Sequence, residues 1–567
     1  MIPWNTRQAR GGIAVPLSVI ALLWAAFVLP HASDYVLRVL TVAGTYALLA
    51  LGFSFIFGHA GALSLAQGTF MGVGAYVSGI LAARWGIPFD AALPASVGIP
   101  VLLALLVAIP VLRLQTHYFA LATLLIGQVV LLIAIQWESV TGGANGIGGV
   151  PGLSLFGLPL HTRLAAALMV WSLVALGALL AWHLMRGRLG TGFAVLRTQP
   201  VAARAIGIDT GMLRLLAFLL SAGYAGLAGS LYVHAIGVLS PDILSFPVMV
   251  TCLTIAVVGS RRRVAGALLG AVLVVELPEW ARFLRDDYLL AYGCILLLVI
   301  VALPDGLIET VERWLARLWT APSPPLPTPR SMPLRPASAS DGAVLEVANL
   351  ARRFGGVRAL DGVSFDLRAG EVLGLIGPNG SGKTTLLNVV TGIFPPDAGS
   401  VRFAGANITR LPPYRIARLG IARSFQTAAL APDISVLDNV AIARGAARLG
   451  LWRALRASAR EDTDTKAEAM ALLGRMGAAD HALSVAGTLP PGIARGSASA
   501  IALKGVACSP ASRCARICSS PAGETRSCAN VGWRACTHCS PLWPSIAGPW
   551  PGSFPADSSR CWPSADP

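Results

Sequence analysis

The residues best suited to chemistry are Gly377, Pro378, Asn379, Gly380, Ser381, Gly382, Lys383 and Thr384, which fit G-x-x-x-x-G-K-[ST]. Glycines at this spacing let backbone N–H groups turn inward around phosphate oxygens. A helix starting at the end of the loop adds its positive dipole end. Lys383 would reach the β- and γ-phosphates of a nucleoside triphosphate, and the Thr384 hydroxyl would help hold a Mg²⁺ ion. The chain has only three lysines, Lys383, Lys466 and Lys504, so a lysine in this slot is not background. Gly377, Asn379, Gly380, Ser381, Gly382, Lys383, Thr384 and Thr385 are therefore the candidate residues for ATP, with Thr384 also a candidate for Mg²⁺.

The motif carries this meaning only between a strand and a helix. Val372-Leu373-Gly374-Leu375-Ile376 is apolar and strand-like, and the run from Thr384 to Val390 is helix-like. Upstream, Val344–Val347 and Val363–Leu367 read as further strands, so 371–376 is expected to continue their sheet. The fold class expected here is an α/β P-loop domain.

The rest of the chain has a different character. Over 567 residues, charged side chains make up only 13%, about half the globular norm. Mean hydropathy is +0.66. Apolar runs of near-bilayer length recur at 13–30, 35–57, 65–84, 91–112, 116–136, 163–185, 213–236, 243–259, 264–277 and 288–303. These ten segments predict a polytopic α-helical membrane domain. Arg7 and Arg10 before the first run resemble a signal peptide, but the many later spans favour an uncleaved first helix.

Loop arginines set the orientation. Arg7, Arg10, Arg113, the 186–214 loop and Arg261-Arg262-Arg263 are expected in the cytoplasm. The Thr141–Thr162 loop and an acidic loop around Glu276, Glu279, Asp286 and Asp287 are expected outside. Ten crossings satisfy this pattern and leave the phosphate loop in the compartment that holds ATP. The formal charge of +16 is then loop and tail arginine. The arginines flank apolar spans instead of forming a basic face interleaved with aromatics, so nucleic acid is not an expected partner, and membrane lipid is.

Two loops carry more than topology. Gly58-His59-Ala60-Gly61 interrupts a span, and Gly72, Gly74 and Gly79 follow. Small residues here suit either close helix packing or substrate passage. The second loop, from Arg186 to Asp209, is basic and amphipathic, and helix-like around 193–206. It reads either as a surface connection or as a short docking helix.

At these residues a resemblance becomes specific. Phe57-Gly58-His59-Ala60-Gly61, Gly72-Val73-Gly74-Ala75-Tyr76, His117–Leu124, Thr141–Ile147, Ala202–Ile208 and Ala225–Gly229 are similar, in order, to the membrane subunit of ABC importers for branched-chain amino acids. The resemblance implies that the 186–209 loop couples the membrane domain to an ATPase, with Arg186, Arg197, Arg204 and Gly207 as its candidate residues. It also implies a second permease subunit, a second ABC ATPase subunit and a periplasmic or external substrate-binding protein. Relatives carrying urea or short amides share the fold, which leaves substrate identity open within that range. The location implied is the cell's inner membrane.

After the last span, 321–341 is a Pro/Ser-rich tether. The stretch 342–495 resembles the ATPase partner of such permeases, so the expected domains are 1–320, permease; 321–341, linker; 342–495, N-terminal part of an ABC ATPase; and 496–567, an aberrant tail. In that family an aromatic shortly after the first strand stacks on adenine, and Phe354 is the candidate; an ordinary strand-end hydrophobic is the alternative. Arg423-Ser424-Phe425-Gln426 resembles the glutamine loop, in which Gln426 would contact Mg²⁺ or the attacking water.

The resemblance then fails. Thr488-Leu489-Pro490-Pro491-Gly492 matches only the start of a signature loop. No Asp-Glu pair after four apolar residues follows Gln426, and neither His481 nor His538 has a setting for the switch role. Without the acidic pair, hydrolysis should fall by orders of magnitude. The last seventy residues crowd Cys508, Cys514, Cys518, Cys528, Cys536, Cys539 and Cys561 among Ser, Pro and Trp, without helix or strand period. That composition reads as the product of a shifted reading frame, with a zinc site around Cys536-Thr537-His538-Cys539 as the alternative.

Overall fold

The computed structural model describes residues 33–114, 116–280, 288–318, 343–425, 430–445, 449–451, 459–507 and 516–519. Among these, the chain divides into two compact units, 33–318 with 413–507 and 343–412 with 516–519.

The first unit is helical. Ser33 caps α1 (Asp34–Phe53), which continues as a π-helical turn over Ser54–His59. There follow α2 (Gln67–Trp85), α3 (Phe89–Val111), α4 (Thr116–Gln136) and α5 (Arg163–Arg186). Two short helices, α6 (Arg188–Thr198) and α7 (Pro200–Ala205), lead to α8 (Thr210–Ile236). Then come α9 (Phe246–Gly259), α10 (Val264–Trp280), α11 (Tyr288–Ala302) and α12 (Leu307–Leu318).

Nine of the ten apolar runs thus coincide with helices; the first, 13–30, lies outside the described residues. Only five helices among the described residues are long and apolar enough to cross a membrane by themselves: 34–59, 89–111, 117–136, 163–186 and 210–236. The others fall short for different reasons. α2 is diluted by Gly, Ser, Gln and Arg, while α9 has only 14 residues. Glu276 and Glu279, expected in a loop, lie inside α10, whose last turn includes Pro278. The Tyr35 hydroxyl donates to the Glu279 carboxylate.

α8 is the central helix and packs on α1, α2 and α3. Backbones meet closely there because side chains are missing. A Cβ on Gly74 would stand 2.4 Å from the Gly226 carbonyl oxygen, and one on Gly226 would stand 2.4 Å from that of Ser96. Gly72 faces Leu244, and Gly79 faces Leu239 and Val233, so Gly72, Gly74 and Gly79 of α2 serve packing. Two polar clusters inside the bundle are paired, as a low-dielectric interior favours, while the buried Tyr76 hydroxyl has no partner among the described residues. Gln67 donates to the Leu49 and Ser221 carbonyls at 3.2 Å and accepts from the Ser221 hydroxyl at 2.6 Å. His234 joins the Ser78 hydroxyl at 3.0 Å and the Pro151 carbonyl at 2.6 Å, tying α2 and α8 to the 147–160 loop. In that loop β1 (Ile147–Gly148) pairs antiparallel with β2 (Val238–Leu239). By contrast Leu106, Leu125 and Leu179 are exposed, as on a lipid-facing surface.

The second unit holds a four-stranded antiparallel sheet. β3 (Ala343–Phe354) and β4 (Val357–Arg368) form a hairpin around Gly355-Gly356. β5 (Val372–Leu375) leads into the phosphate loop and α13 (Lys383–Val390). β6 (Ala398–Phe403) and β7 (Ala406–Asn407) complete the sheet in the order β4-β3-β6-β7. β5 does not continue this sheet, contrary to expectation. It pairs in parallel with β8 (Arg516–Ser519), from Arg516 against Val372 to Ser519 against Leu375. A loop and helix after a strand is the connection that parallel pairing uses, whereas β3 and β4 pair antiparallel through a tight hairpin. With one strand neighbour among the described residues, β5 stays half-buried.

The remaining helices, α14 (Pro413–Leu419), α15 (Val436–Gly445), α16 (Ala459–Arg475) and α17 (Pro491–Ala507), belong to the first unit. α17 runs through 495/496 without a break. Ala and Leu favour helix over this stretch, Ala500 is buried, and the Ser497 hydroxyl bonds back to the Ile493 carbonyl at 2.9 Å. Together with β8 it shows that 496–519 contains both a helix and a strand, where no period was expected.

Candidate nucleotide site and coupling junction

The phosphate loop stands between β5 and α13, as its motif requires. Gly382 is the N-cap of α13 with φ +84°, and a Cβ there would lie 2.3 Å from the Ala359 carbonyl oxygen. Position and handedness both demand glycine. The first helical bond runs from the Leu386 amide to the Gly382 carbonyl at 2.8 Å. The amides of Lys383, Thr384 and Thr385 precede it and have no acceptor inside the helix. They form the donor set an anion needs.

Lys383 folds back over the loop. Its ammonium donates to the Gly377 carbonyl at 2.6 Å, the Pro378 carbonyl at 2.7 Å and the Ser381 hydroxyl at 3.3 Å. A cation held by three neutral oxygens, beside open amides, fits a triphosphate. Pro378, Asn379, Gly380, Ser381 and Thr384 are exposed, and a Cβ on Gly380 would meet nothing within 4 Å. The exposed Thr384 hydroxyl suits a hard cation carried in by the phosphates.

Phe354 ends β3 and is 40% exposed. Its ring meets Phe394 edge-on at 5.3 Å and lies under the Arg352 guanidinium at 5.0 Å. Asp397 fixes that guanidinium at 2.6 Å and accepts from the Arg353 amide at 2.7 Å. The Arg353 N–H holds the Asp397 carboxyl below its usual range, and Arg352 adds to the effect. Gln426 lies outside the described residues, as do the 321–341 tether and the Cys536–Cys539 cluster. Among the described residues no group of three or more His, Cys, Asp or Glu could hold a metal ion.

The other candidate residues gather at a junction within the first unit. The expected helix 193–206 is two helices, broken at Gln199 because Pro200 starts the second. Arg186 lies over the Trp182 ring at 4.9 Å, and Arg204 donates to the Thr210 hydroxyl at 2.9 Å. Both serve their own neighbourhood. Arg197 and Gly207 reach further. The Arg197 guanidinium donates to the Asp433 carboxylate and, through its other terminal nitrogen, to the Gly58 carbonyl at 3.1 Å. Burial and the nearby Arg262 work against the Arg197 charge, while Asp433 supports it. The Gly207 carbonyl accepts from Arg418 of α14 at 3.0 Å.

Several junction residues escaped the sequence reading. Arg188 donates to the Thr465 hydroxyl of α16. A Cβ on Gly192 would stand 3.2 Å from Leu449, so α6 lies close to the ATPase-like stretch. Arg262 donates to Asp433 at 3.2 Å and pairs with Glu309 of α12 at 3.4 Å. Ala431 and Ile442 are buried in the core shared with the membrane helices. Arg188 was visible in the basic loop; Asp433 and Arg418 carried no pattern of their own.

Comparison with known proteins bears on both halves. Residues 35–303 match the family described as the permease component of the branched-chain amino acid transport system. The permease protein LivM of Salmonella typhimurium, from a high-affinity branched-chain amino acid transport system, is 30% identical over 315 residues. That match covers 52% of this chain and 73% of LivM. The chain belongs to this permease family. Residues 360–508 of the permease match the ABC transporter family, so the ATPase likeness extends past residue 495. The ATP-binding protein LivG of Salmonella typhimurium is 36% identical over 153 residues, covering 26% of the permease chain and 60% of LivG. The chain thus spans less than two thirds of this ATP-binding relative. An ATP-binding cassette of an ABC transporter, solved in its ADP conformation, is 32% identical and covers 29% of this chain and 65% of that one. Its TM-score of 0.25 is too low to bear on the fold.

Proposed function

We propose that this chain joins the permease and ATP-binding parts of an ABC importer that carries branched-chain amino acids across the inner membrane. The carrying observation is the junction itself: the permease loop 186–209 contacts the ATPase-like stretch through Arg197–Asp433, Gly207–Arg418 and Arg188–Thr465. A free-standing nucleotide-binding domain has no use for such contacts. The substrate class rests on the family matched by residues 35–303.

In this reading the membrane part makes ten crossings and leaves the ATPase part in the cytoplasm. Lys383 and the amides of 383–385 hold the phosphates of ATP, Thr384 and Gln426 face its Mg²⁺, and Phe354 stacks on adenine. Bound Mg²⁺ would neutralise phosphate charge. Lys383 trades three neutral oxygens for the phosphates, and the α13 amides orient them. A second permease subunit, a second ABC ATPase and an external substrate-binding protein complete the importer. The domains run 1–320, 321–341 and 342 onward.

A second reading is favoured by one observation. No Asp-Glu pair follows an apolar strand after Gln426, and β8 occupies the place beside β5. On that reading this ATPase part binds ATP without hydrolysing it efficiently, and turnover comes from the partner ATPase. ATPase assays on the purified chain, with and without the partner, separate the two. Turnover by the chain alone that disappears in Lys383→Ala supports a complete motor; turnover only with the partner supports the second reading.

A further inference from the structure

Five segments are linked through Arg197, Arg262 and Asp433. The Asp433 carboxylate, in the turn before α15, takes Arg197 of α6 and Arg262 of the α9–α10 loop. Arg262 also holds Glu309 of α12. Arg197 also holds the carbonyl of Gly58, inside the π-helical turn Ser54–His59. The glycines of this turn have a steric reason. A Cβ on Gly61 would stand 2.7 Å from Cγ of Arg197, and one on Gly58 would stand 1.7 Å from the Arg261 carbonyl oxygen. Arg197 therefore passes over Gly61 to reach Gly58, and the arginine-rich loop closes the other side.

We propose that Arg197 is a positioning residue that ties Asp433 to the π-helical turn at the end of α1, carrying displacement of the ATPase-like stretch into the membrane helix. Two features support a directed link over a general contact. The guanidinium is a fork with two ends, and here each end serves a different element. A π-turn has wide hydrogen-bond loops, closed here by the Ala60 amide on the Phe55 carbonyl at 2.9 Å and the Ala62 amide on the Ile56 carbonyl at 3.0 Å. Such turns are local departures from α-helix, frequent at functional sites. The inference rests on the proposed ATP-coupled function, although its test does not require transport.

The test is hydrogen exchange on the full chain in lipid, with and without MgATP, with Lys383→Ala as the nucleotide control. In the native chain, ATP should alter exchange both at 430–445 and at 55–62. In Arg197→Gln the response at 430–445 should persist while that at 55–62 is lost. Basal exchange at Ala60 and Ala62 should rise about tenfold, the scale of one lost charge-assisted bond. Arg197→Lys, which cannot fork, should keep the contact with Asp433 and still lose the response at 55–62. The proposal is overturned if 55–62 ignores ATP in the native chain, or responds equally in Arg197→Gln or Arg197→Lys. Unchanged thermal unfolding in Arg197→Lys guards against a folding artefact. Absence of leucine uptake would count against the substrate reading and leave this exchange pattern standing.

Discussion

The Lys383 ammonium donates to the Gly377 carbonyl at 2.6 Å, across the loop that the two residues delimit. The phosphate loop is thus tied to itself by its own cation. On the proposed reading a triphosphate displaces these three neutral acceptors, since charged oxygens are the stronger partners for an ammonium.

Replacing Lys383 with Ala removes that partner and leaves the loop glycines in place. One charge-assisted contact amounts to about 1.5–3 kcal/mol, so ATP affinity should fall about ten- to a hundredfold. Titration with a fluorescent ATP analogue measures it. Unchanged affinity would place the nucleotide elsewhere.

Asp397 links β3 to the turn before β6 through Arg352 and the Arg353 amide. Its carboxyl is held below the usual range, first by the Arg353 N–H. A group lowered by folding contributes its full stability above its unfolded value, about 3.9, and loses it as pH falls through the lower folded value. Thermal unfolding of the full chain, followed from about pH 6 down to about pH 3, should show the ATPase part of the native chain losing more stability than Asp397→Asn. Equal slopes would remove this role from Asp397.

Gly226 lies against the Ser96 carbonyl, where an added Cβ would stand at 2.4 Å, while Gly98 on α3 has nothing within 4 Å. Gly226→Val should therefore cost about 1–3 kcal/mol or more through overpacking. Gly98→Ala should be neutral, or stabilising by up to about 1 kcal/mol from helix propensity. Thermal unfolding in detergent compares them, and equal effects would show that α3 and α8 do not meet at Gly226.

These contrasts mark where sequence was informative. The Gly377–Thr384 loop was legible because its residues are contiguous and their types leave one reading. The apolar helices were legible because the signal is the length of a run, though α10 swallowed Glu276 and Glu279 that charge alone had assigned to a loop. Arg197 was legible as part of a basic loop, but its partner Asp433 lies 236 residues away and belongs to no motif. The break at Gln199 could have been read from Pro200. The partner of β5 could not, since four residues of a Cys-rich tail carry no strand period.

The central claim is that this chain couples ATP to uptake through its permease half. The most direct measurement is uptake of radiolabelled leucine by proteoliposomes containing the chain, a partner permease, a partner ATPase and the external binding protein. The account predicts uptake that needs both ATP and the binding protein and that falls in Arg197→Gln. Uptake that proceeds without ATP, or complete assemblies that hydrolyse ATP and move no branched-chain amino acid, would contradict it.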